Sequence, residues 1–446
     1  MEGFKWLYPG LKIKRWLLLA ILGLLLLVSG LTVILGITLL ASAERGFTWF
    51  ILHTLGNLGS PLVGGLLAVA LGLACIIVSV RYLAHSIIQV LLPGQTANPW
   101  QVFYRRQYLA RGPHLVAIGG GTGLAVLLRG LKNYTRNLTA IVTVADDGGS
   151  SGRLRQELNI PPPGDIRNCL VALADTESLM EDLFSYRFRQ GEGLAGHSLG
   201  NLLLAAMTDM AGDFDQAIQE LARVLAVGGR VIPSTTSHVI MGAEFADGST
   251  VLGESNIPLA GKPIKRVFLQ PVACRPPKAA LEAIARADAI IIGPGSLYTS
   301  VLPNLLVPGI VEALRDTPAP VFYVCNIMTQ PGETDGYTVA DHLQAIIVHC
   351  GRGIIDTVIA HSGPISRAAR RRYGTKGARP VLINGPAIAK MGVELRRGWL
   401  VDETHVVRHH PERLAGLVME EVYRHQSRSR QRLVYLLREK FRHLAR

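Results

Sequence analysis

No two of the five cysteines (Cys75, Cys169, Cys274, Cys325 and Cys350) stand at a C-x-x-C spacing, so neither a zinc site nor a redox pair is written into the chain. They read as buried free thiols in a reducing compartment, where cysteine behaves as a small hydrophobe. Charge is also scarce. Asp, Glu, Lys and Arg make up 18% of the 446 residues while apolar residues reach 49%, with a mean hydropathy of +0.28. That balance excludes a plain soluble enzyme and places part of the chain in lipid. Acidic residues are the rarer sign: the net charge is +13, which favours anionic partners such as bilayer surfaces, nucleic acids or phosphorylated metabolites.

Charge is wholly missing from Trp16 to Ala41, a run longer than the roughly 20 residues needed to cross hydrocarbon. It is too long for the apolar core of a signal peptide, and a second uncharged, Gly-rich stretch follows at about Leu58 to Val80. The two predict a transmembrane helical hairpin. Lys5, Lys12, Lys14 and Arg15 precede the first span, and Arg81, Arg105, Arg106 and Arg111 follow the second, so both flanks are expected in the cytoplasm. Glu44 and Arg45 cancel in the connecting loop, and no ionisable side chain in the spans marks an ion path. Residues 1–92 are therefore expected to be an anchor, not a transporter, with 93–112 as a linker.

After Pro113 the text changes to short apolar runs that end in Gly, Asp or Asn and lead into helical patterns, as in a parallel, doubly wound α/β sheet. His114 to Ile118 predicts the first strand, which runs into Gly119, Gly120, Gly121, Thr122 and Gly123 ahead of a helix over Leu124 to Leu131. Glycines at such a bend let backbone amides approach a phosphate, and the helix dipole favours negative charge. The spacing is one residue short of the dinucleotide fingerprint and there is no P-loop lysine, so neither NAD nor ATP is indicated. Without a ligand the same glycines would be a tight turn.

The second strand, Thr139 to Ala145, delivers Asp146, Asp147, Gly149, Ser150, Ser151 and Arg153 to the same ligand-facing edge. Asp146 and Asp147 are suited to a divalent cation such as Mg²⁺ or to ribose hydroxyls, and the Gly/Ser amides with Arg153 to an anionic group. Asp165 and Asn168 open a further helix after a polar turn. Gly196-His197-Ser198-Leu199-Gly200 fits the nucleophile-elbow pattern, but the loop before it is not the buried strand an elbow requires. A Gly-rich loop capping a helix from Asn201 to Met210 is the better reading, with His197, Ser198 and Asn201 available to a ligand. Two further strands, Ala289 to Ile292 and Pro320 to Val324, end in turns carrying Gly295 with Ser296 and Asn326. Val231 to Ile257 predicts a β-hairpin with its turn at Asp247-Gly248.

Taken together, GGGTG at 119–123, ADDGGSSGRLR at 145–155, PPGDIRN at 162–168, GHSLGN at 196–201, IGPGSLYTS at 292–300 and NIMTQPGET at 326–334 resemble the gluconeogenesis factor (YvcK-like) family. That family lies within the superfamily of the CofD-like 2-phospho-L-lactate transferases. The resemblance covers residues 113–412 and implies a Rossmann-like, mostly parallel sheet with a nucleotide-type ligand. It implies binding of a UDP-sugar such as UDP-N-acetylglucosamine, and a link between gluconeogenic carbon use, cell shape and envelope synthesis, with envelope-synthesis proteins as partners. It also implies that Arg408, of the pair Arg408-His409, contributes to the sugar-nucleotide site. The transferase branch implies the alternative, a Mg²⁺-dependent enzyme moving a phospholactyl group from a guanosine diphosphate-linked donor to a deazaflavin precursor. Catalytic residues and the choice between a homo-oligomer and a monomer stay open.

Beyond the domain, residues 413–446 predict a basic amphipathic helix. Beyond Arg424 it carries Arg428, Arg430, Arg432, Arg438, Lys440, Arg442 and Arg446 against the single acid Glu439, while Leu433, Leu437, Phe441 and Leu444 recur at helical spacing. Such a helix either packs on the body or meets anionic membrane lipids. Nucleic acid is not an expected partner, because no aromatic platform accompanies the charge.

Overall fold

The computed structural model describes residues 13–35, 61–91, 109–175, 178–375, 377–403 and 406–444, and the chain divides into two compact units, 1–107 and 108–446. The predicted loop residues Glu44, Arg45, Phe47, Trp49 and Phe50, and the ends of both predicted spans, lie outside the described residues.

In the first unit, helices Ile13–Leu35 and Pro61–Leu91 pack against each other through glycine. A Cβ on Gly23 would lie 2.8 Å from the Gly72 carbonyl oxygen, and one on Gly30 would lie 2.7 Å from that of Gly65. The contacts recur every two helical turns, so the backbones touch along a seam that no larger residue fits. Leu18, Leu24, Leu66, Leu71 and Ile77 point outward and exposed. Among the described residues one helical stretch, Leu62–Leu83, is long and apolar enough to cross a membrane, while the first helix contributes a shorter apolar segment, Leu18–Leu31.

The second unit is built on a seven-stranded sheet of β1 (Leu115–Gly119), β2 (Leu138–Val142), β3 (Arg230–Pro233), β7 (Ala289–Ile292), β8 (Val321–Val324), β9 (Thr357–His361) and β10 (Glu394–Gly398). Their order is β10-β9-β8-β7-β1-β2-β3, and every neighbouring pair is parallel. The central strands LVAIG, AIII and VFYV are buried throughout, as parallel strands covered on both faces must be. Alternation divides them between two cores. Val116, Ile118, Ile290 and Ile292 face one apolar layer, and Leu115, Ala117, Ala289 and Ile291 face the other.

A small antiparallel sheet of β4 (Ile240–Phe245), β5 (Thr250–Leu252) and β6 (Ile264–Gln270) stands apart, and the β4–β5 turn holds Asp247 and Gly248, the latter at φ +83°. The predicted hairpin is real, but Val231 to Pro233 belongs to β3 of the main sheet, because the apolar run Val-Ile finds a parallel partner in β2. A last two-stranded ladder pairs β11 (Val401–Asp402) with β12 (Arg408–His409).

Helix Pro411–Leu444 begins inside the body: Leu414, Ala415, Val418, Met419 and Val422 lie in the second core. Glu421, only 3% exposed, is held there by Arg396 at 2.7 Å and by Arg424, which also reaches Glu394. Removing one cation from a buried pair leaves the carboxylate under-compensated, so Arg424→Ala should lower stability by about 2–3 kcal/mol in urea titration. Replacing the whole group by apolar residues should cost less.

Candidate functional site

Strand order places β1 where the topology reverses, since the chain leaves β1 for β2 on one side and returns through β7 on the other. Open α/β sheets bind ligands in the crevice that opens there, beyond the carboxyl ends of the strands. A cavity of about 450 Å³ occupies this crevice. Gly121, Thr122 and Gly123 line it from β1, Gly295, Ser296, Thr299 and Ser300 from β7, Asn326 to Gln330 from β8, and Arg408 and His409 from β12. A larger cavity of about 670 Å³ sits at the opposite edge, beside Asp288, Pro320 and Asp356, where the strands begin. It touches none of the glycine loop, and the topology favours the smaller one.

The β1 loop enters helix Gly121–Leu131 with Gly120 at the N-cap position and no side chain capping it. The Asp165 carboxylate accepts the Gly121 N–H. Thr122 and Gly123 follow in the first turn, whose N–H groups have no intrahelical acceptor. The loop glycines have separate reasons. Gly121 has φ +66°, a Cβ on Gly120 would come within 2.6 Å of both Asp165 Oδ2 and Thr143 Cγ2, and a Cβ on Gly123 within 2.7 Å of the Pro294 carbonyl oxygen. Close approach to neighbouring loops, and not only to a ligand, therefore demands glycine here. Asn326 braces the same turn by donating to the Gly295 carbonyl at 2.8 Å.

One acid, Glu254, lines the cleft, and Asp146, Asp147, Asp165 and Glu333 cluster beside it. Asp146 Oδ1 accepts the Gly148 N–H at 2.9 Å and Asp147 Oδ1 the Ser255 N–H at 2.9 Å. Burial pushes Asp165 up to about 6, with Asp146 adding to the shift against the Gly121 hydrogen bond. Glu254, hydrogen-bonded to Thr299, is pushed up to about 7 by burial and then by Asp146, Asp147 and Glu333. Glu333 is also raised by burial, although Ser296 and Thr299 donate to it. Sequence reasoning missed both glutamates. Glu254 arrives on a tertiary excursion, the turn Glu254–Asn256 after β5, and Glu333 lies in the NIMTQPGET motif, of which only Asn326 stands out by sequence as a ligand residue.

Gly120, Asp146, Asp147 and Asp165 do not line the cavity, and the remaining expected ligand residues likewise stand beside it. Ser150 Oγ lies 2.9 Å from His197 Nδ1, and Asn201 Nδ2 donates to Ser150 Oγ at 3.0 Å. Ser151 packs on Gly164, whose Cβ would fall 2.4 Å from Ser151 Oγ. Arg153 donates to the Ala195 carbonyl at 2.8 Å, Arg167 binds Asn168 Oδ1 at 2.6 Å, and Gly149 stands exposed at φ +48°. Burial holds His197 below the usual imidazole range, with Arg153 contributing. Gly119 lies within β1, one residue before the bend.

Ser198 is fully buried, caps helix Leu199–Ala211 by accepting the Asn201 N–H, and accepts from Arg167. That is a structural hydroxyl and no elbow. Fluorophosphonate should leave the protein unlabelled, and Ser198→Ala should cost about 1 kcal/mol of stability through the lost cap, read by thermal unfolding.

At the rim, Arg408 is exposed and His409 is 6% exposed. Burial, with His361 nearby, lowers His409 to about 4, so its ring is neutral while it hydrogen-bonds the Cys325 backbone. Among the described residues its buried Nε2 has no hydrogen-bond partner, and His409 is one of the residues that line the cleft. All five cysteines are free; four are buried, and Cys75 is half-buried.

The model of the 2-phospho-L-lactate transferase CofD family matches residues 115–401. A putative gluconeogenesis factor of Nostoc sp. is 49% identical over 430 residues, covering 94% of this chain and 92% of that protein. The gluconeogenesis factor of Bacillus subtilis is 52% identical, covering 70% of this chain and 99% of its own length. The chain belongs to the gluconeogenesis factor family. A crystal structure of a Bacillus halodurans protein, 54% identical, superposes with a TM-score of 0.68 over 69% of this chain and all of its own. Members of this family thus come in two lengths, and the Nostoc alignment is too long to leave out the second apolar helix of the first unit.

Proposed function

We propose that this gluconeogenesis factor is a membrane-anchored, non-catalytic or weakly catalytic regulator that binds a UDP-sugar of the UDP-N-acetylglucosamine type in the β1/β7 cleft. Binding would relate carbon supply in gluconeogenic growth to envelope synthesis and cell shape. The observation that carries the reading is the cleft itself. Its first-turn residues Thr122 and Gly123 lie across from the hydroxyls of Ser296, Thr299 and Ser300, with Arg408 at the rim. Backbone N–H groups at a helix start suit a diphosphate, hydroxyls suit a sugar, and a guanidinium suits a second phosphate oxygen. A volume of about 450 Å³ falls in the range of small-ligand sites. The glycine-sealed helix pair with its apolar outer face supports a two-span anchor at the cytoplasmic face of the membrane.

Calorimetry on the full chain in detergent micelles with UDP-N-acetylglucosamine tests the reading. Saturable heat is expected, and Arg408→Ala should weaken it at least tenfold, about 1.4 kcal/mol. No heat at millimolar ligand would remove the proposal.

The acid cluster favours one rival, a Mg²⁺-dependent transferase. Among the described residues, no three acidic, His or Cys ligand atoms converge on the cleft within 4.8 Å; the group that does, Glu394, Glu421 and His425, is the Arg-filled network under the last helix. A closed metal cage is therefore lacking, but Mg²⁺ is commonly held by one or two carboxylates plus substrate phosphates. Asp146 and Glu254 fit that role, and the ion would neutralise phosphate charge. Release of nucleoside monophosphate from a GDP-linked donor in the presence of a deazaflavin acceptor would favour the rival, and Asp146→Asn should then reduce it.

A further inference from the structure

Both ends of the second unit leave it at one edge of the sheet, the edge opposite the cleft. The chain enters through residues 109–113. There the Leu109 carbonyl accepts the Arg136 N–H at 2.9 Å, and Asn137 Nδ2 donates to the carbonyls of Ala110 at 3.0 Å and Gly112 at 2.7 Å. Arg136 and Asn137 immediately precede β2, so this is where the strands begin. The last helix starts beside β12 at the cleft and runs alongside helix Gly121–Leu131 and β10. Glu421 meets Arg396 in the middle of β10, and Arg424 meets Glu394 at its first residue. The His425 ring is 5.5 Å from that of Phe322, and His425 and Gln426 share the cavity at the strand starts with Asp288 and Asp356.

The helix therefore crosses the amino edge of the sheet at about Gln426. Its last turns, Ser427–Leu444, continue past that edge for about 27 Å at 1.5 Å per residue. In sequence these turns and the two residues after them hold seven Lys and Arg against the single acid Glu439. Apolar residues recur among them at 433, 437, 441 and 444, the spacing of one helical face.

We infer that this edge is a second membrane contact, in which the basic extension lies on an anionic bilayer surface and turns the cleft toward the aqueous phase. Each Lys or Arg brought near acidic headgroups contributes about 1 kcal/mol, and an apolar stripe adds insertion at the interface. The chain arriving from the apolar hairpin joins the body at this same edge, bringing Arg111 with it. A helix leaving from the cleft side could not serve in this way. The inference rests on the reading that the hairpin is embedded in a bilayer; UDP-sugar binding is a separate matter.

The full chain, carrying a protease site inserted after Asn98, is reconstituted into vesicles of phosphatidylcholine alone or with one-third phosphatidylglycerol. It is then cleaved and floated. If the hairpin is not embedded, the uncleaved chain fails to float, and the inference fails with it. With the hairpin embedded, the cleaved body should stay on the anionic vesicles at low salt at least tenfold more than on neutral ones, and should leave them at high salt. Deleting residues 428–446, or combining Arg432→Glu with Arg438→Glu, should release it. Equal release from both lipids, retention that survives the deletion, or a body stripped from anionic vesicles by single-stranded RNA would each overturn the inference. UDP-sugar calorimetry on the same deletion variant, expected unchanged, reports on the cleft independently.

Discussion

Alanine at Gly119 should be almost silent, while alanine at Gly123, four residues on, should weaken ligand binding at least tenfold and destabilise the fold by about 1–3 kcal/mol. A Cβ on Gly119 would meet Gly293 Cα at 3.6 Å and Leu124 Cδ1 at 3.7 Å, ordinary van der Waals contact on a strand with an extended backbone. A Cβ on Gly123 would lie 2.7 Å from the Pro294 carbonyl oxygen, 2.9 Å from its carbon and 3.2 Å from the Gly295 nitrogen. Those are backbone atoms of the opposite lip, so they move only if the whole β7 turn moves. The turn also carries Ser296, and Asn326 is tied to it, so displacing it widens the cleft between the amides and the hydroxyls.

Gly120→Ala belongs with the damaging class, because its Cβ falls 2.6 Å from both Asp165 Oδ2 and Thr143 Cγ2, although there the obstacles are side chains and not backbone. Gly149→Ala provides a control for backbone strain without crowding: φ is +48° and nothing lies within 4 Å. It should cost about 1 kcal/mol of stability and leave binding intact. Calorimetry and urea titration on the four variants check the series. Equal effects at positions 119 and 123 would mean that the two loops are not apposed as described.

That ranking was not available from the sequence, where the loop glycines at 119, 120, 121 and 123 look alike. What could be seen there was the periodic part. Apolar runs ending in Gly, Asp or Asn located β1, β2, β7 and β8 to within a residue or two at most ends, because strands buried on both faces must be continuously apolar. The loops after them were located for the same reason, since ligand-facing turns follow strand ends. Side-chain destinations were hidden. Ser150, His197 and Asn201 occur in motifs of phosphate-friendly composition, yet they satisfy one another's hydrogen bonds. Glu254 gave no local sign, because its place depends on the turn after β5 meeting Thr299 across the fold. For the last helix the sequence leaves packing on the body and contact with lipid both open, and its first turns continue the domain's core through Leu414, Val418 and Val422.

The acid cluster leads to the second large effect, on pH. Burial and mutual repulsion raise Glu254 from its ordinary 4.5 to about 7, and burial raises Asp165 from 3.8 to about 6. For a carboxyl raised in the folded state, the folded protein holds the proton more tightly than the unfolded chain. Its contribution to stability is thus fully present below the unfolded value and is lost as pH rises through the folded value. Stability should accordingly decline between about pH 4 and 7 from these two groups. The same interval brings negative charge onto Glu254, in the cleft proposed to hold a diphosphate, and onto Asp165 beside it. In a UDP-sugar both phosphates are esterified, so the ligand's own charge stays constant across the interval. Without divalent cation, affinity should fall about tenfold from pH 5.5 to 7.5, up to one decade per coupled proton. Glu254→Gln should flatten the upper part of that curve and leave the lower part, which belongs to Asp165. Added Mg²⁺ should restore affinity at high pH in the unmodified protein and do little in the variant, since the repulsion it offsets is already reduced. Calorimetry across pH with and without Mg²⁺ measures all of this, and an affinity that stays level or climbs with pH would show that the ligand does not sit against these carboxylates.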